Sequence, residues 1–177
     1  MTLSAAVRAA KRFSIARALR DAIPSAGEAS LVAGSALLTV LALADFKLWF
    51  LAWISLAPLL VVVARTQSAL RAFVAGWLWG VIFFYGTCWW LTYPMIHYAR
   101  IPHNGHIPAW LAYLILLLPV LLVAFFPALF CLLLFRIITR FGLAAIFTAP
   151  LIWVSLEWAR YEVTGQVWNV DGGFKLE

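Results

Sequence analysis

The side chains able to do chemistry are few and widely spaced. Two thiols, Cys88 and Cys131, each lie inside a long apolar run. A thiol attacks only as its thiolate, which needs a base or a cation beside it. Thr87, Trp89 and Trp90 offer Cys88 neither, so an inert thiol is expected, and the same holds for Cys131 deeper in its run. Two such residues imply neither a disulfide framework nor a Cys zinc site. Three imidazoles, His97, His103 and His106, fall in the turn-rich stretch Tyr93–Pro108 together with Arg100, Pro102, Asn104 and Gly105. That stretch holds no carboxylate and no Cys, and its spacing matches no tight ligand motif, so it reads as a polar connector. No catalytic residue, metal or cofactor is therefore expected.

Glu157 and Arg160 carry more information. A carboxylate inside an apolar run is costly unless it is paired or used, and a spacing of three residues puts both groups on one face of a helix. Pairing at a membrane interface is one account of them; holding a polar headgroup is the other. Thr164, Gly165, Trp168 and Asn169 follow at once, giving an amphipathic stretch where a headgroup would lie. Glu157, Arg160, Gly165 and Trp168 are accordingly the candidate lipid-binding residues.

These groups must be positioned by a membrane fold. Of the 177 residues, 66% are hydrophobic and 11% charged, against roughly 45–50% and about 25% in soluble domains. With a mean hydropathy of +0.98, ten Trp and thirteen Phe, the chain has more apolar surface than one small core could hide. An all-α, polytopic transmembrane bundle follows. Five segments approach the ~20 residues a spanning helix needs: Ala29–Ala44, Leu48–Ala64, Ala72–Leu91, Ala109–Phe135 and Gly142–Trp158. The first ends in Ala42-Leu43-Ala44, a small-x-small pattern also seen at signal-peptide cleavage sites. Its long leader and the spans that follow favour an uncleaved helix. Pro58, Pro119, Pro127 and Pro150 fall within spans, where each removes a backbone donor, so kinks are expected.

Basic residues set the direction. Arg8, Lys11, Arg12, Arg17, Arg20, Arg65, Arg71, Arg136 and Arg140 gather on one side, and Lys47, Arg100, Arg160 and Lys175 on the other. The N-terminus is therefore expected in the cytoplasm and the C-terminus outside. Trp49, Trp53, Trp89, Trp90, Trp110 and Trp158 then fall near outer ends, as an interfacial belt. The charge of +6 sits in short clusters rather than a continuous groove, which excludes nucleic acid as a partner. The leader presents no clean amphipathic face. It either rests on anionic headgroups or is disordered.

Taken in order, the chain resembles the N-terminal membrane region of apolipoprotein N-acyltransferases from about residue 31 to 169. The resemblance is carried by Leu48-Trp49-Phe50-Leu51-Ala52-Trp53-Ile54-Ser55-Leu56-Ala57-Pro58-Leu59-Leu60, then Arg71-Ala72-Phe73 leading to Gly76-Trp77-Leu78-Trp79-Gly80. Trp90-Leu91 and Phe126-Pro127-Ala128-Leu129-Phe130 follow, and then Trp153 through Glu157-Trp158-Ala159-Arg160 with Thr164-Gly165 and Trp168-Asn169. Two departures stand out. The family usually has Gly-Phe-Pro-Trp where this chain reads Gly165-Gln166-Val167-Trp168, and the tail from Val170 to Glu177 leaves the pattern.

The resemblance implies a bacterial inner-membrane protein whose family moves a fatty acyl chain from phospholipid, through a Cys thiolate, to the amine of a lipidated cysteine. In the family the Cys, Glu and Lys that do this belong to a periplasmic nitrilase-like domain placed after further membrane helices. This chain ends before that domain, so neither Cys88 nor Glu157 inherits a catalytic role. The expected organisation is a cytoplasmic leader over residues 1–28, a membrane domain over 29–162 and an outer tail over 163–177. Membrane phospholipid is the expected partner, with a lipoprotein substrate only if the catalytic domain is supplied. Two rivals are a non-enzymatic lipid-binding scaffold of the same fold and a small transporter, the latter lacking a broken-helix substrate site and internal repeats.

Overall fold

A computed structural model describes residues 21–43, 48–98, 100–101 and 105–168. The leader up to residue 20, His103 and the tail from Asn169 lie outside the described residues. The first helix, α1, runs over Ala26–Leu43 and starts three residues before the expected Ala29. Its start is set by a reciprocal cap: the Ser25 N–H donates to Glu28 Oε2 at 2.7 Å and the Glu28 N–H donates to Ser25 Oγ at 3.3 Å. This S-x-x-E box satisfies two backbone donors that a helix N-terminus otherwise leaves unpaired. Ser25→Ala is expected to cost ~1 kcal/mol and to speed amide exchange in the first turn of α1 while leaving the other helices unchanged. Equal exchange in both proteins would show that the cap contributes nothing.

The second segment is not one continuous helix. A 3-10 turn at Trp49–Leu51 leads into α2, Ala52–Ser55, and then α3, Ala57–Arg65. Pro58 sits in the first turn of α3, where its missing N–H costs nothing. Next, α4 covers Ala69–Cys88, capped by Ser68, whose Oγ accepts the Arg71 N–H at 3.5 Å. A 3-10 turn at Trp89–Leu91 and α5, Thr92–His97, extend that path six residues past the expected Leu91. Thr92 aids the continuation, its Oγ1 donating to the Trp89 carbonyl at 2.7 Å.

The connector that follows is a short antiparallel pair, β1 at Arg100–Ile101 and β2 at Gly105–His106. It is the one departure from helix among the described elements. Two helices, α6 at Ala109–Val123 and α7 at Phe125–Phe141, then replace the expected single span ending at Phe135. The break falls at Ala124 because Pro127 has no N–H for the Val123 carbonyl and its ring would collide with it. A 3-10 stretch, Leu143–Thr148, feeds α8, Ala149–Trp168. Pro150 therefore joins Pro58 and Pro127 in a first turn, and only Pro119 lies inside a helix. Most of these prolines restart helices instead of bending them.

Among the described residues, four helical paths are long and apolar enough to cross a bilayer, at Ala26–Leu43, Ala69–His97, Ala109–Phe141 and Leu143–Val163. The broken path Trp49–Arg65 is the shorter fifth. The bundle is organised around α4, which packs most extensively on α7 and next on α1. Close approach to α7 depends on small residues, as is usual where lipid removes the hydrophobic drive between helices. A Cβ added at Gly76 would meet the Pro127 carbonyl, Cys131 Sγ at 2.8 Å and Ala128 Cα at 2.9 Å. One at Gly80 would meet Ala124 Cα at 2.9 Å. Gly76-x-x-x-Gly80 is thus a helix-packing motif, and Cys131 is one of the walls it fits.

Trp79 lies between these glycines and is fully buried. Its indole N–H donates to Ser35 Oγ of α1 at 3.1 Å, and Ser35 Oγ donates to the Ser55 carbonyl at 2.5 Å beside the break in the second segment. One relay thus ties three segments together. The same ring stacks on Phe83 at 4.9 Å and meets Trp153 of α8 edge-on at 5.8 Å, while Trp153 also meets Phe130 of α7 at 5.1 Å. The tryptophans assigned to the interfacial belt behave in the opposite way. Trp49, Trp53, Trp89, Trp90, Trp110 and Trp158 are all exposed.

Candidate functional site

Glu157 and Arg160 lie on α8, about fourteen residues, or ~21 Å of helix, from the start of its path at Leu143. The two side chains pair closely. Arg160 Nε donates to Glu157 Oε2 at 2.8 Å, and a terminal guanidinium nitrogen of Arg160 reaches the same oxygen at 2.6 Å. Each side chain keeps about a third of its surface exposed, 37% for Glu157 and 31% for Arg160. A pair this open adds only ~0.2–1 kcal/mol to stability.

The pair faces the bundle. Arg160 stands over the Phe84 ring of α4 at 5.9 Å, and Phe84 meets Phe83 edge-on at 5.0 Å. Glu157 borders a small cleft between α7 and α8 whose other walls include Phe126, Pro127, Phe130 and Trp153.

Gly165 and Trp168 belong to the same helix, eight and eleven residues after Glu157. The helix continues through Gly165-Gln166-Val167-Trp168, where the family usually has Gly-Phe-Pro-Trp. With Val at 167 in place of Pro, nothing removes a donor or restricts the preceding residue, and a single Gly is too weak a breaker to end the helix. Asn169 lies outside the described residues.

The other chemistry-bearing groups stay apart from this pair or are used in packing. Cys131 is fully buried against Gly76. Cys88 ends α4 half-buried, one turn beyond Phe84. Arg160, lying over Phe84, is therefore a cation near that end of α4 that the thiol's sequence neighbours did not supply. His97 is engaged locally, its Nδ1 at 2.9 Å from the Tyr93 carbonyl and its ring stacked on Tyr93 at 4.0 Å. His106 lies exposed on β2.

Two apolar grooves open on the flanks. One of about 530 Å³ lies between α1, α4 and α6, with Leu37, Ile82, Tyr85 and Tyr113 on its walls. The other, about 510 Å³, lies between α3, α7 and the start of α8, walled by Leu56, Leu60, Phe147 and Trp153. The capping box, the Gly76–Gly80 motif and the Trp79 relay went unnoticed in the sequence reading. S-x-x-E and G-x-x-x-G were signals able to reveal the first two, whereas the relay joins residues too distant in sequence to have one.

The fold defines a polytopic helical membrane protein, with four paths among the described residues long and apolar enough to cross a bilayer. Residues 35–172 match the apolipoprotein N-acyltransferase N-terminal domain, and the chain belongs to that family. It is 32% identical over 120 residues to the apolipoprotein N-acyltransferase of Geobacter metallireducens, 67% of this chain and 21% of that protein. With the Chromobacterium violaceum enzyme it shares 33% identity over 136 residues, 76% of this chain and 25% of that protein. The Pasteurella multocida enzyme is 31% identical over 145 residues, 81% of this chain and 26% of that protein. The chain thus spans between a fifth and about a quarter of these relatives. No solved structure matches it.

Proposed function

We propose that these residues form the membrane platform of an apolipoprotein N-acyltransferase of the bacterial inner membrane, which passes an acyl chain from phospholipid to the N-terminal amine of a diacylglyceryl-cysteine lipoprotein. The observation that carries this reading is the match of the family's N-terminal domain across the bundle, from within α1 to beyond α8. The basic leader over residues 1–28 faces the cytoplasm and the end of α8 faces the periplasm. The shared side on which α1 and α4 begin, fixed by the Arg71–Glu28 contact at 3.6 Å, is consistent with that direction.

In this reading Glu157 and Arg160 hold a phospholipid headgroup at the outer surface, with Gly165 and Trp168 alongside and the acyl chains along the apolar flanks. Acyl transfer itself demands an activated thiolate, a base and an oxyanion stabiliser, which the family places in its nitrilase-like domain. The 177 residues by themselves therefore bind donor lipid without turning it over. The purified chain, incubated with phospholipid and a diacylated lipopeptide, is expected to retain phospholipid through purification and to form no triacylated product. Arg160→Gln should lose most of the retained lipid. Product formation, or retention unchanged by Arg160→Gln, would contradict the assignment.

A further inference from the structure

The groove of about 510 Å³ beside the start of α8 lies toward the end of the bundle opposite Arg160. Its walls come from Leu56 and Leu60 in the second segment, Phe130 of α7, and Phe147, Trp153 and Val154 on the α8 path, and no wall residue is charged. Phe130 is buried and meets Trp153 edge-on at 5.1 Å, forming the floor, while Phe147 and Val154 stand exposed at the sides. Three arginines mark the membrane surface to which this groove leads. Gly80 faces Ala124 while Gly76 faces Ala128 and Cys131, so α4 and α7 are antiparallel and α7 ends where α4 begins. There α3 ends too, with only Thr66 to Ser68 before α4. Arg65 closes α3, Arg136 and Arg140 lie in the last turns of α7, and all three are exposed. The two ion pairs among the described residues, Arg71–Glu28 and Arg160–Glu157, include none of them.

We propose that this groove holds one acyl chain of an anionic phospholipid from the leaflet in which α8 begins, with Arg140 on its phosphate and Arg136 and Arg65 adding positive charge around it. Length supports the fit. Arg140 is ten residues from Phe130, or ~15 Å of helix, which matches one leaflet of a ~30 Å hydrocarbon layer. Direction supports it as well. The Arg140 guanidinium stands over the Phe141 ring at 5.6 Å, and Phe141 follows Phe130 by eleven residues, close to three whole turns, so both rings lie on one side of α7. A guanidinium pairs two N–H donors with phosphate oxygens, and basic pockets between membrane helices suit anionic headgroups. A zwitterionic lipid balances its phosphate with its own ammonium, whereas phosphatidylglycerol brings a net negative charge to the three arginines. A second copy of the chain seated here would set its own arginines against them. The inference rests on these helices crossing the bilayer, and not on the donor-lipid reading at Glu157 and Arg160.

The test places the full chain in phosphatidylcholine nanodiscs with a trace of phosphatidylglycerol or phosphatidylcholine, each carrying the same photoactivatable diazirine on one acyl chain. Crosslinked residues are mapped by peptide mass spectrometry. Labelling of the groove walls is expected to be roughly tenfold or more stronger from phosphatidylglycerol. Arg136→Gln combined with Arg140→Gln should bring the two probes to within about twofold of each other, by loss of the phosphatidylglycerol signal. Val154→Trp fills the groove from an exposed wall position and should weaken labelling of the other walls by both probes, roughly twofold or more. Arg160→Gln should leave the headgroup preference at the groove unchanged. Equal labelling by the two probes in the unaltered chain, or a preference that survives the paired arginine substitutions, would overturn the proposal. So would a preference lost with Arg160→Gln alone, which would assign the lipid to the donor site, or a groove closed to both probes by a second copy of the chain.

Discussion

Gly76→Leu should dismantle the contact between α4 and α7, costing ~3 kcal/mol or more, read as an early transition in detergent-induced unfolding followed by tryptophan fluorescence. The reason is the nature of what surrounds the glycine. A Cβ there already collides with the Pro127 carbonyl and approaches Ala128 Cα to 2.9 Å. Those are backbone atoms, unable to rotate aside as a flexible side chain would. Even Gly76→Ala should therefore destabilise, by ~1–3 kcal/mol. Gly34→Ala in α1 supplies the contrast, because nothing lies within 4 Å of the added carbon and Ala favours helix over Gly by up to ~1 kcal/mol. It should be neutral or stabilising. If the substitutions at positions 76 and 34 had the same effect, close packing at Gly76 would not be what holds α4 to α7.

Removing the buried indole should be comparably severe. Trp79→Ala is expected to cost ~3–5 kcal/mol, in the range of aromatic truncations in a close-packed core, since the fully buried ring touches α1 through Ser35, α8 through Trp153, and Phe83 within its own helix. Trp79→Phe keeps most of the apolar area and removes only the N–H, so ~1 kcal/mol is expected. The relay makes a sharper claim. Trp79→Phe and Ser35→Ala remove the same hydrogen bond, so together they should cost ~0.5–1.5 kcal/mol less than the sum of their single effects. Strict additivity would mean that the bond at 3.1 Å contributes nothing to stability.

The apolar runs located the membrane segments because hydrocarbon leaves the backbone almost no alternative to helix. The same runs concealed where helices stop. Long apolar stretches surround the breaks at Ala124 and Leu56, interrupted near Leu56 by Ser55 alone, so the breaks depend on Pro127 and Pro58 acting at first turns, and a proline in an apolar stretch looks the same whether it bends a helix or begins one. Glu157 and Arg160 were legible because charge is rare in such surroundings, and the structure pairs them as their spacing requires. Gly165 and Trp168 proved harder. The family's usual Gly-Phe-Pro-Trp carries a proline there, while Gln166 and Val167 of this chain allow the helix to continue through Trp168. Trp79 was hidden for another reason: one indole among ten carries no sequence mark of facing inward, and its partner Ser35 is 44 positions away.

The central claim is that this bundle serves N-acyl transfer as the membrane platform of its family. The most direct measurement replaces the matched region of the Chromobacterium violaceum relative with residues 35–168 of this chain and follows conversion of a diacylated lipopeptide to its triacylated form in the presence of phospholipid. The account predicts product from the chimera and its loss on Gly76→Leu. A chimera that inserts and folds, as judged by helix content and unfolding behaviour, yet transfers no acyl chain would contradict it.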